Sequence, residues 1–194
     1  MKTTEPVRDK RQIRLLVDYY LKRGQIRNYV LIVMGLHTAL RVSDLLLLRW
    51  DDVYDFDSDC VRQNITLTEK KTGKTKSIAL HANIIAALRL FADSPDKPAK
   101  LGAFLFESPR TKKAIVRSQA YRVIRAAGEA VGIATRVACH SLRKTFGYHA
   151  WKDGRSPEIL MKIYNHSSLA ITARYLGITQ DDINAVYLEV KLTA

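Results

Sequence analysis

Cysteine is scarce. Cys60 and Cys139 stand far apart with no CxxC pairing, which excludes a disulfide scaffold and suits a reduced, cytoplasmic protein. Long apolar runs are missing. The longest, Tyr29 to Leu40, is too short to span a bilayer and contains His37. Met1 to Lys10 is polar and mixed in charge, unlike a signal peptide. No HxxxH and no paired CxxC offers a zinc site. Acid is in deficit: 19 Asp and Glu face 32 Lys and Arg, a net charge of +13. Such an excess favours a polyanionic partner. An anionic membrane surface would call for a cationic amphipathic helix flanked by disorder, and none is evident. What is present suffices for a core: 47% of the 194 residues are hydrophobic and 26% charged, a length and balance that favour one domain, 1–194.

Apolar periodicity predicts helices over 7–23, stopped by Gly24, over 26–38, apolar nearly all round and therefore buried, and over Val42 to Trp50 with Ser43 as its cap. The aspartates between Asp51 and Asp59 read as a solvated turn. Val61 to Leu67 alternates like a strand, Thr72-Gly73 signals a turn, and Ser77 to Leu80 returns. A helix is expected over Ala82 to Ala92. A Pro-containing loop, a short third strand at Ala103 to Phe106 and a basic loop at Arg110 to Ala114 follow. Further helices fit Ser118 to Val131, Ser141 to Lys152, Pro157 to Tyr164, Leu169 to Leu176 and Asp181 to Val190. The sum is a mainly α (α+β) helical bundle with a small antiparallel three-stranded sheet.

Two motifs fail on inspection. Gly73-Lys74-Thr75 ends like a phosphate-binding P-loop, but Thr68 stands where that loop needs its first glycine, and a strand follows instead of a helix. Asp55, Asp57 and Asp59 begin like a calcium loop, but Cys60 and Thr66 occupy the places of its glycine and glutamate. Charge is unevenly spread. Residues 110–125 hold six basic residues and no acid, and residues 70–76 hold four, whereas the end of the chain is acidic and apolar through Asp181, Asp182 and Glu189. Body and tail are suited to different partners.

The informative segment is His140-Ser141-Leu142-Arg143. At a helix start, positions i and i+3 share a face, so imidazole and guanidinium can meet one phosphodiester oxygen. Alone, the pair could be ordinary surface. Downstream come His166-Ser167-Ser168 and Tyr175, nine residues after His166. Upstream, Arg41 lies in Leu40-Arg41-Val42-Ser43-Asp44-Leu45 between two buried helices and needs an anion, for which Asp44 is the internal candidate.

In their joint order and spacing these residues resemble the tyrosine recombinase (phage integrase) family, together with a lysine in the Lys71-Thr72-Gly73-Lys74 hairpin. The resemblance implies the family's catalytic-domain fold and DNA strand exchange without cofactor or metal. Two positions depart from the family pattern: Asn165 stands where Gly is frequent and Lys144 where His is frequent. Only 40 residues precede Arg41, so the chain is expected to be an excised catalytic domain or a short member such as the fimbrial-switch invertases.

By that resemblance Tyr175 is the nucleophile, leaving a 3′-phosphotyrosyl bond and a free 5′-hydroxyl. Arg41 and Arg143 clamp the non-bridging oxygens, and His140 and His166 hydrogen-bond the phosphate, with His140 also taking the tyrosine proton. Lys71 protonates the leaving oxygen. Tyr164 and Tyr187 lack the spacing to His166. Lys74, Lys76, Arg110, Lys112, Lys113, Arg117, Arg122 and Lys144 are candidates to track the backbone of double-stranded DNA. Two alternatives remain open: a type IB-like topoisomerase or nicking enzyme, and a non-catalytic DNA-binding module. The tail, 178–194, carries Ile183, Val186, Tyr187 and Val190 on one helical face. The resemblance implies that it joins protomers in a DNA-bound tetramer, while the free monomer is expected to fold it back onto its own domain.

Overall fold

A computed structural model describes residues 4–68, 73, 75–94 and 101–190. Lys71 and Lys74 lie outside the described residues. The order begins with α1 (Lys10–Leu21), α2 (Ile26–His37), α3 (Val42–Leu45) and α4 (Trp50–Val53). Strands β1 (Tyr54–Asp55), β2 (Cys60–Val61), β3 (Asn64–Thr68) and β4 (Thr75–Ala79) follow. The rest is helical: α5 (Ala82–Ala92), α6 (Arg117–Ala130), α7 (Cys139–Lys152), α8 (Pro157–Tyr164), α9 (Leu169–Leu176) and α10 (Gln180–Glu189).

The centre is α2. Every residue from Val30 to Leu36 is buried, as its all-round apolarity requires. On one side α3, α4, α5 and the strands enclose Trp50, Phe91, Leu105 and Phe106. On another, α1 and α6 bring Leu16, Tyr20 and Ile124 against Ile32 and Leu36. Helix α7 crosses α2 closely because Gly35 has no side chain: a Cβ there would press into Leu142. A smaller cluster of Ala39, Leu160, Tyr164 and Leu176 sits beneath α7, α8 and α9.

Two local expectations are corrected. The third strand does not form. Among the described residues the strands make two separate antiparallel pairs, β1 with β2 and β3 with β4, the latter running from Asn64↔Ala79 to Thr68↔Thr75. Ala103 to Phe106 instead runs beside Leu48 to Trp50: Leu105 N–H donates to Leu48 C=O at 2.8 Å and Trp50 N–H to Ala103 C=O at 2.9 Å. That pairing also splits the helix expected over Val42 to Trp50, because Arg49 is drawn into an extended conformation (φ −106°, ψ 165°). Ser43 therefore lies inside α3, and Arg41 is its N-cap.

The helices carrying the candidate site are well bounded. Ser156 caps α8 from its side-chain oxygen, with Pro157 at the first turn. Asn165 ends α8 in the left-handed conformation (φ 53°, ψ 50°). Glycine and asparagine are the residues that tolerate this conformation, which accounts for Asn165 in place of the family's frequent Gly. Ser168 caps α9, and Gly177 ends it at φ 70°.

Candidate active site

Tyr175 sits near the end of α9 among aromatic and cationic neighbours, packed against the cluster of Ala39, Leu160 and Leu176. The rings of His140 and His166 each lie 5.0 Å from it, centre to centre, both edge-on. Tyr164 lies 4.8 Å away. The guanidinium carbon of Arg143 is 5.9 Å from the ring centre and the Lys144 ammonium 5.6 Å. Thus α7, α8 with its following loop, and α9 converge on one phenol.

Arg143 is 2% exposed. Its Nη2 donates to the Tyr164 carbonyl at 2.9 Å and its Nη1 to the Ala39 carbonyl. Ala39 reaches that position in a left-handed conformation, φ 53°, a strain of about 1 kcal/mol or more for a residue with a side chain. Arg41, half-buried, donates from Nη2 to the same Tyr164 carbonyl at 3.3 Å. One peptide oxygen at the end of α8 therefore gathers both guanidinium groups. Tyr164 also closes the base of the site: its hydroxyl donates to the Arg143 carbonyl at 2.8 Å. Its ring has room only because Gly147 lacks a side chain, since a Cβ there would overlap the phenol.

The electrostatics follow from this packing. Burial pushes the Tyr175 phenol up to about 12, opposed by the charges of Arg143 and Arg41. Its oxygen is shut off from solvent and faces the Arg143 guanidinium, the group that most opposes the rise. His140 keeps solvent access, yet partial removal from water, then Arg143, Lys144, Arg117 and Arg41, push its imidazole down to about 4. Burial, then Arg143 and Arg41, lower His166. Both shifts favour the neutral form of the rings. His166 Nδ1 lies 3.1 Å from the hydroxyl of Thr172, which is fully buried and also reaches the Ser168 carbonyl at 3.3 Å. Thr172 thereby fixes the ring's orientation.

The other expected residues divide. Arg110, Lys112, Lys113, Arg117 and Arg122 are exposed and Lys76 is half-buried. Lys144 departs from the surface role expected of it: it is 9% exposed, and its Nζ donates to the Thr4 carbonyl at 2.7 Å. Helix α7 turns its side chain inward, towards Tyr175. Tyr164, Thr172 and Ala39 were not among the expected site residues. Two of them act through backbone carbonyls, which carry no side-chain signature. Tyr187 is 81% exposed on α10, and Tyr164 is fully buried with its hydroxyl donated.

Among the described residues no group of three or more His, Cys, Asp or Glu side chains is placed to hold a metal, and no helix is long and apolar enough to cross a membrane.

The family model described as phage integrase family matches residues 7–181. The chain belongs to the phage integrase family. Among its relatives is a probable integrase/recombinase, YoeC, of Bacillus subtilis (strain 168), 37% identical over 187 residues that cover 96% of this chain and 97% of YoeC. The integrase fold is seen again in the crystal structure of XerA recombinase, with a TM-score of 0.76 at 23% identity over 99% of this chain and 68% of that one. It is seen too in XerH site-specific recombinase bound to a palindromic difH substrate in a post-cleavage complex. There the TM-score is 0.72 at 17% identity, over 96% of this chain and 53% of XerH. Of the residues expected from the order of motifs, the fold brings Arg41, His140, Arg143, His166 and Tyr175 together, with Tyr164 and Lys144 beside them.

Proposed function

We propose that Tyr175 attacks a DNA phosphodiester and is replaced later by a free 5′-hydroxyl, the two halves of a strand exchange. The activity class follows from family membership: the chain is a tyrosine-type site-specific DNA recombinase. The observation that carries the residue assignment is the convergence of Arg143 and both histidines on the Tyr175 ring, with Arg41 held beside them on the Tyr164 carbonyl.

A scissile phosphate entering here meets Arg41 and Arg143, whose positions are set before it arrives. Preorganised donors of this kind favour the pentavalent transition state because no reorientation is needed at the moment of reaction. The neutral His140 accepts the phenol proton as the oxygen attacks phosphorus. The arriving phosphate also supplies negative charge that eases proton uptake on His140 and His166. Thr172 can turn its hydroxyl proton to His166 Nδ1, which leaves Nε2–H to donate to a non-bridging oxygen. Lys71 is assigned the leaving 5′-oxygen. The phosphotyrosyl bond conserves the energy of the broken one, so rejoining to a partner strand needs no nucleotide. The exposed Arg110, Lys112, Lys113, Arg117 and Arg122 are assigned to the backbone of duplex DNA in the cytoplasm.

The test uses a pool of nicked duplexes with a randomised core, in which loss of a short 5′-hydroxyl fragment traps the covalent product. The parent chain is expected to yield a protein–DNA band that survives denaturation, with the DNA attached to Tyr175. The Tyr175→Phe variant is expected to give none while still binding DNA. An adduct on that variant would refute the assignment.

The tail is proposed to bind a second protomer within a tetramer on DNA, as part of the single unit 1–194. Its support is that α10 has no buried residue and leaves Val186, Tyr187 and Leu188 at 60%, 81% and 85% exposure. Among the described residues the expected fold-back reaches Ile178, which packs against the cluster of Leu160, Tyr164 and Leu176, but α10 itself buries no residue. Lys152 holds only the base of the helix, 2.6 Å from Asp182. Truncation after Gly177 is expected to retain adduct formation on one site and lose pairing of two sites in a gel-shift assay.

A further inference from the structure

The residues ahead of α1 have a structural task that the exchange chemistry does not itself require. Pro6 and Val7 are buried, and the segment lies across α7. Val7 N–H donates to Thr145 Oγ1 at 2.9 Å, and the Val7 carbonyl meets His149 Nε2 at 3.0 Å. The Thr4 carbonyl accepts the Lys144 ammonium, whose Nζ lies 5.6 Å from the Tyr175 ring centre. Arg8 then reaches beyond α7. Its Nη2 donates to the Gly177 carbonyl at 2.9 Å, and its guanidinium lies 5.0 Å from the centre of the Tyr148 ring. Pro6 and Arg8 come within 3.5 Å of the place a Gly177 Cβ would occupy, so they pack directly on the end of α9. Gly177 is two positions beyond Tyr175.

This strap joins the helix of Arg143 to the helix of Tyr175 from outside the phosphate pocket. A short helix ending in a left-handed glycine has unsatisfied carbonyls at its C-terminus, and a guanidinium donated to one of them fixes where the helix ends. We propose that residues 4–8 form a positioning strap, with Arg8 holding α9 through Gly177 and the Thr4 carbonyl holding Lys144 beneath the Tyr175 ring. The inference rests on the reading of Tyr175 as nucleophile. Arg8 acts through the α9 backbone and is a positioning residue. Attack requires the phenol oxygen in line with the phosphorus, and small displacements of a reacting group cost rate steeply.

Two measurements test the strap on Arg8→Ala and Arg8→Lys chains. The first is the rate of adduct formation at saturating DNA on a duplex recovered from the randomised pool. Arg8→Ala is expected to slow it by about three- to tenfold, the size of one exposed hydrogen bond, with unchanged half-saturation by DNA. Arg8→Lys should recover part of the loss. The second needs no DNA: nitration of tyrosines by tetranitromethane, mapped by mass spectrometry. Tyr175 is expected to react faster in Arg8→Ala by a similar factor, while the deeper Tyr164 stays protected and so rules out general unfolding. A change in DNA affinity alone would make Arg8 a phosphate contact and overturn the strap. Faster adduct formation would do so as well, by making the segment a latch. Unchanged rates in both measurements would leave Arg8 without the role. Adducts persisting on Tyr175→Phe would instead remove the nucleophile reading, while the nitration of Tyr175 would still report whether Arg8 grips α9.

Discussion

Arg143 and Lys112 are both cations assigned to phosphate, yet they live in different solvents. Arg143 is 2% exposed, with both terminal nitrogens committed to peptide oxygens and Tyr164 beneath its plane at 4.7 Å. Lys112 has a 75% exposed side chain and a single loose ion pair, 3.5 Å from Glu107. A buried charge held by fixed dipoles is already oriented when substrate arrives. An exposed one is surrounded by water and counterions and must be gathered by it. The two kinds of positive charge should therefore fail differently: removing the first costs rate and stability, and removing the second costs affinity and salt dependence.

The largest separation comes from Arg143→Ala. Adduct formation is expected to fall on the order of 10²- to 10³-fold at saturating DNA, the cost of one preorganised donor. The fold should suffer too, because the Ala39 carbonyl loses its donor and the Tyr164 carbonyl keeps only the longer bond from Arg41. Each buried group left unpaired costs roughly 1–3 kcal/mol. Arg143→Lys should restore little, since one ammonium cannot reproduce a planar fork that spans two carbonyls. Arg41→Ala sharpens the contrast. It should match the loss of rate but destabilise less, because Arg41 is half-buried and shares the Tyr164 carbonyl. Urea unfolding beside single-turnover kinetics measures both. An Arg143→Ala chain with normal stability would break the comparison.

The same contrast explains what could be read from sequence. Helices α5, α8 and α9 lie at the expected bounds, because apolar spacing, Ser156-Pro157 and Gly177 mark them locally. The region from Val42 to Trp50 misled because its outcome depends on residues far along the chain. Ala103 and Leu105 draw Leu48 to Trp50 into a bridge, and no local pattern announces that. At the site, the charged and aromatic residues were legible by their order. The carbonyls of Ala39 and Tyr164 that aim the arginines were not, since every residue has a carbonyl. The burial of Lys144 was also hidden, because it depends on the Thr4 carbonyl, 140 residues away.

An effect of intermediate size should appear on acidification. His140 titrates near pH 4 in the fold, below its ordinary value of 6.5. Between those values the unfolded chain binds more protons than the folded one, so stability rises with pH across this window and is lost as pH falls through it. His166 is lowered as well and acts in the same direction. The melting temperature is accordingly expected to drop between pH 6.5 and 4, and to drop less steeply in His140→Asn. An equal slope in both chains would show that burial and the neighbouring cations do not set the protonation of His140. Bound DNA should flatten the profile, because phosphate charge offsets those same cations.

The smallest effect tests the exposed class. Replacing Lys112 and Lys113 together by alanine removes two surface charges from a loop tied by its own backbone, where Ser108 N–H donates to the Lys113 carbonyl at 2.8 Å and Lys112 N–H to the Ser108 carbonyl at 3.0 Å. The loop geometry should survive, since neither bond uses a lysine side chain. The Lys112–Glu107 pair is long at 3.5 Å and open to water on the lysine side, although Glu107 is mostly covered, so its loss should cost no more than about 1 kcal/mol. What should change is binding. Removing one cation from a phosphate lowers the slope of log affinity against log salt by about 0.9. If both lysines touch duplex DNA, the slope should fall by roughly 1.8 on that scale, while the rate of adduct formation at saturating DNA is unchanged. A slope equal to the parent's would take this loop off the DNA path and leave Arg117 and Arg122 on α6 as the backbone cations. A slower saturated rate would mean that exposed cations also shape the reacting geometry, and the division between the two kinds of charge would fail at its weaker end.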